Sequence, residues 1–168
     1  MRSRVTAGAL SGLLAGIAFG IPMQILLVPT PSGELVPMMA MVARVVGSTS
    51  YAVGWLYHLF NSALIGGIFG WALGSHARNT GSAVGLGMLY GMVWWVLGGL
   101  ILMPVLIGMP AFSSIRIPDM RPMAMASLLG HLLYGLALGV FFRGLFQFER
   151  PKSFRLGTPH YAGRASLG

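Results

Sequence analysis

Cysteine is absent from this 168-residue chain, and acidic residues number three, Glu34, Asp119 and Glu149. Without thiols there is no disulfide, no thiolate metal site and no cysteine nucleophile. No carboxylate lies inside an apolar stretch, so a transmembrane proton relay or cation path of the usual kind lacks its carrier. Charged residues of both signs make up 8% of the chain. Water-soluble domains carry roughly 25%, which puts this composition in the membrane class. The P-loop, HExxH, GxSxG and Rossmann fingerprints are all missing, and no enzyme activity is expected. Strand pairs of alternating polarity are missing as well.

What is present is apolar sequence, at 55% hydrophobic residues. Four stretches match the roughly 20 residues that cross a bilayer core. They are residues 5–28, 51–74, 82–103 and 123–142. Backbone polar groups in lipid must be satisfied within their own segment, so these are helices. The expected fold is an all-α, four-helix transmembrane bundle over residues 1–146, followed by a basic, disordered cytoplasmic tail over 147–168. Arg2, Arg4, Arg78, Arg143, Arg150, Lys152, Arg155 and Arg164 fall on one side of such a bundle; Arg44, Arg116 and Arg121 fall on the other. Eight against three puts both termini in the cytoplasm by the positive-inside rule. The net charge of +8 is then a matter of topology. No basic helix face is interleaved with aromatics, so no nucleic-acid partner is expected, and the tail is a candidate for anionic lipid. Arg2 and Arg4 ahead of an apolar run also fit a signal peptide, but the run continues past Gly16 and Ala18, which favours an ordinary first span.

The chain also repeats itself. Gly12-x-x-x-Gly16 corresponds to Gly87-x-x-x-Gly91 at an offset of 75, and His58 with Gly66 corresponds to His131 with Gly139 at an offset of 73. Two similar hairpins in the same orientation are expected, a parallel repeat of the kind some transporters use. Residues 36–46, apolar but too short to span, read as an interfacial or re-entrant helix.

His58 and His131 are the sharpest functional signal, because an ionisable group inside a span marks a candidate site. At 1.5 Å per residue both lie roughly 10 Å into the hydrocarbon. Asn61 and Tyr134, three positions on, share their helix faces, and Gln24 is placed to reach the same layer. Three readings compete. Neutral imidazoles can hydrogen-bond across helices and hold the bundle, with no cofactor. They can be the two axial ligands of a b-type haem, with small residues giving the macrocycle room. They can join methionines in a copper site, since thioether and imidazole suit Cu(I); Met38, Met39, Met41, Met120, Met123 and Met125 are the candidates.

Gly8, Gly12, Gly16 and Gly20 form a ridge at spacing four, and Gly87 and Gly91 form another. Such ridges let helix backbones approach closely, within a bundle or against a partner. With His58 and Gly66, Met103-Pro104, and His131 and Gly139 laid out, the chain resembles a family of small, uncharacterised bacterial four-helix membrane proteins over about residues 5–146. That resemblance implies the bacterial inner membrane and supplies no reaction or cofactor. The expected function is that of a non-catalytic accessory subunit, bound to a larger membrane complex or to itself. A haem or copper redox protein is the alternative, and a small-solute transporter the third.

Overall fold

The computed structural model describes residues 3–30 and 33–147, so the basic tail expected to be disordered lies outside the described residues beyond Gln147. Four helices are long and apolar enough to cross a membrane, and they pack as a bundle. The first span is α1 (Arg4–Ile25). A short ribbon follows, β1 (Leu27–Pro29) antiparallel to β2 (Leu35–Pro37), then α2 (Met38–Arg44). The second span is α3 (Tyr51–Ala72). The third is composite: α4 (Thr80–Trp94), a π-helical stretch (Trp95–Leu102) and α5 (Met103–Leu106). A loop holding α6 (Ser113–Arg116) leads to the fourth span, α7 (Arg121–Gln147).

Several boundaries differ from the sequence reading, each for a local reason. The first span stops at Ile25, not residue 28. Leu26 turns extended and its carbonyl accepts from Met38 N–H at 2.8 Å, which starts the ribbon in place of another helical turn. A strand pair therefore exists, with Pro29 and Pro37 at its ends, where a missing N–H is tolerated. The second span ends at Ala72, two residues before the expected end. The third starts earlier, at Thr80, because Asn79 caps it: its side chain accepts from Ser82 N–H at 2.8 Å, and Ser82 Oγ accepts from Asn79 N–H. The fourth runs from Arg121 to Gln147, longer at both ends than 123–142. Residues 38–43 of α2 are all buried, so this helix is tucked onto α1 and α3, not spread on an interface. Gly54 makes room for it, since a Cβ there would meet Met39 O at 2.6 Å.

The third span also bends around a proline. Pro104 has no N–H to give the carbonyl four residues back, that of Leu100. Phe112, held at φ 63°, brings its own N–H to that carbonyl at 2.7 Å. The loop is thereby tied to the middle of the π-helical stretch.

Each hairpin closes on glycine. A Cβ on Gly8 would strike the Gly66 carbonyl, and one on Gly12 the Ser62 carbonyl; Gly16 faces Ser62 Oγ and Gly20 the Trp55 ring. In the second hairpin a Cβ on Gly87 would strike the Gly135 carbonyl, and one on Gly91 the His131 carbonyl. Adding 75 to Gly12 and 73 to Ser62 gives Gly87 and Gly135, so the two contacts are copies. Both ridges are engaged inside their own hairpins. Gly12→Leu and Gly87→Leu should each cost about 1–3 kcal/mol through overpacking, read as a lowered thermal midpoint in detergent. Gly85, whose Cβ would meet nothing within 4 Å, should accept alanine with no loss.

Candidate functional site

The offsets of 75 and 73 relate α1 to the third span and α3 to α7, which predicts two equivalent interfaces, α1 with α7 and α3 with the third span. Only one is closed. In α1 and α7, Phe19 seats against Gly130, with its ring in van der Waals reach of that Cα. The counterparts of Phe19 and Gly130 are Trp94 and Tyr57. Large now meets large, and a tryptophan cannot nest where a tyrosine stands. The backbones of α3 and the third span stay apart, and both Trp94 and Tyr57 line the resulting cavity of about 680 Å³.

The cavity is shut toward the termini. Tyr90 donates from its hydroxyl to Ile65 O at 2.8 Å, joining the third span to α3. Tyr134 donates to Ser62 O at 2.7 Å, joining α7 to α3. Phe69 and Phe142, equivalent residues of the two repeats, meet edge to face with ring centres 5.4 Å apart. Toward the long loops the walls are Met23, Met38, Met103, Met123 and the π-helical stretch, with Thr30 and Asp119 near the rim. Among the described residues seven methionines line this one space.

Both histidines line it too, and each is pinned by the same device. His58 Nε2–H donates to Gly16 O at 2.9 Å. His131 Nδ1–H donates to Ser127 O, one turn back on its own helix, at 2.8 Å. Phe19 packs edge-on against both rings, with centroids 5.6 Å from His58 and 5.0 Å from His131. A carbonyl only accepts, so each ring nitrogen facing one must carry the proton, which fixes the tautomers. Nδ1 of His58 and Nε2 of His131 are then lone-pair nitrogens, and among the described residues neither has a partner.

The other residues of the expected polar layer separate. Asn61 lines the cavity and has no side-chain partner among the described residues. Its counterpart Tyr134 is long enough to cross to α3; an asparagine at the equivalent place is too short for the return bond. Gln24 does not join them: its Oε1 accepts from Trp55 Nε1–H at 3.1 Å, near the loop end of the first hairpin. Of the methionines named for copper, Met38, Met41, Met120 and Met123 line the cavity. Met39 is fully buried against α3 and Met125 is 55% exposed, so these two stand elsewhere. Among the described residues no three His, Asp or Glu side chains group as a metal site.

Phe19, Trp94 and Ser127 carry much of this geometry; the sequence singles out neither Phe19 nor Ser127, and Trp94 reads there only as an ordinary interfacial anchor. The signal for the first two was available: the offset of 75 that pairs the glycines also pairs Phe19 with Trp94. The two tyrosine bridges should be modest and separable, at about 0.6–1 kcal/mol each for Tyr90→Phe and Tyr134→Phe. Denaturant titration of the protein in mixed micelles would read both losses. No family model, curated protein or solved structure matches the chain.

Proposed function

We propose that this four-span membrane protein is a non-catalytic binding protein for a small lipophilic molecule, taken into the cavity between α3 and the third span. The cavity itself carries the reading. Its volume of about 680 Å³ falls within the roughly 300–1,000 Å³ of small-molecule sites, which are mostly apolar with a few placed polar groups. Here those groups are Asn61 and the two imidazoles. Thioether side chains add an adaptable wall, because methionine reshapes around whatever it packs against.

The competing readings draw less support from the geometry. An accessory subunit docking through its glycine ridges would need those ridges free, and both are occupied within their hairpins. A haem held by both histidines would have to displace Phe19 from both rings. Copper is favoured by the shared wall of imidazole and thioether, but an ion needs only its immediate ligands and leaves most of the space empty. The positive-inside bias and the resemblance to small bacterial membrane proteins support a cavity in the outer half of a bacterial inner membrane, between α3 and the π-helical stretch.

Gly98 supplies the test. It lines the cavity, and a Cβ there would meet nothing within 4 Å. Gly98→Leu should therefore fill space without disturbing the bundle. Protein purified from its native membrane should retain a lipophile detectable by mass spectrometry, and the variant should lose most of it at an unchanged thermal midpoint. Equal retention by both proteins would remove the cavity from consideration.

A further inference from the structure

We infer that the ligand of this cavity presents a hydrogen-bond donor on an apolar ring, as a phenol or hydroquinone does, to the free imidazole nitrogens of His58 and His131. The inference rests on the cavity being a ligand site, and adds the chemistry that the site selects. Both imidazole N–H groups are spent on backbone carbonyls, Gly16 O and Ser127 O. What each ring has left is a lone pair, which accepts and does not donate. A carbonyl-only ligand, such as a quinone or ester, would bring acceptors to acceptors. A hydroxyl brings the missing proton. Asn61 offers both an acceptor and donors, so a second hydroxyl or an ether oxygen is accommodated beside it.

The surroundings fit a ring. Phe19 already lies edge-on to both imidazoles, and Trp94 and Tyr57 line the same space. Aromatic side chains favour such offset or edge-to-face neighbours. The alternative use of two lone-pair nitrogens is a soft cation: metal-bound histidines commonly give their other N–H to a carbonyl, and thioethers suit Cu(I). Cavity volume favours the organic ligand, and copper becomes an outcome of the test.

The test compares 4-butylphenol with 4-butylanisole, which differ by the O–H proton that methylation removes. Binding is measured by equilibrium dialysis against the full chain in phosphatidylcholine nanodiscs, with empty nanodiscs subtracted. The wild type should bind the phenol roughly tenfold more tightly than the ether, the factor for one matched hydrogen bond. In His131→Phe the preference should fall toward one while affinity for the ether is kept, which also reports that the cavity remains formed. Should that variant fail to fold, His58→Phe is read in the same way, and the wild-type ratio stands alone in either case. A wild-type ratio of one overturns the donor inference and leaves the cavity reading intact, provided Gly98→Leu weakens both compounds. Binding of neither compound overturns both. Copper co-purifying at one per chain, and lost only when both histidines are replaced, overturns the inference in favour of a metal.

Discussion

Backbone-to-backbone contact at glycine is the constraint on which the rest of this protein depends. In lipid, helices gain nothing from leaving the solvent, so association rests on close packing and polar contacts. Gly12 against Ser62, and Gly87 against Gly135, bring main chains to a separation that no Cβ would permit. The same closeness lets His58 reach the Gly16 carbonyl from the neighbouring helix. Larger residues in the ridges would lengthen that bond and release the imidazole, so packing in the hairpin sets the tautomer in the cavity.

The likeness of the two hairpins explains the cavity by where it fails. Two like hairpins should meet through two like interfaces, and one of these closes as expected, Phe19 on Gly130. The other carries Trp94 and Tyr57 at the equivalent places and stays open. The asymmetry continues one turn deeper, where Tyr134 spans to α3 and Asn61 does not span back. Three substitutions between the repeats thus separate a sealed seam from a lined space.

Much of this was legible in the sequence, for identifiable reasons. Long apolar runs, basic flanks and glycine spacing are local signals, and the four helices and the tandem hairpins follow from them. The ribbon at Leu27–Pro37 was not legible: three-residue strands have too little pattern to read, and the apolar run of the first span passes straight into them. Nor was the burial of α2, since an apolar heptapeptide reads alike whether it lies in an interface or under a bundle. Gln24 was grouped with the histidines by depth alone, but its Trp55 partner comes from the facing helix and is invisible to spacing. The cavity depends on pairs distant in the chain, and only the repeat offsets connect them.

The bond from Phe112 N–H to Leu100 O fills the gap left by Pro104. It also makes the loop a lever. The Leu100 carbonyl belongs to the π-helical stretch whose Gly98, Gly99 and Leu102 line the cavity, and the loop on which Phe112 stands continues into α6 and on to Asp119 at the same cavity. Displacing that rim pulls on the wall through a single 2.7 Å main-chain bond, whereas among the described residues α3 is joined to the third span by the Tyr90 side chain on the Ile65 carbonyl and by no main-chain bond. Compliance is therefore concentrated on one side of the cavity. A shift of the rim is thereby passed to the wall, while α3 can move against the third span without straining a main-chain bond.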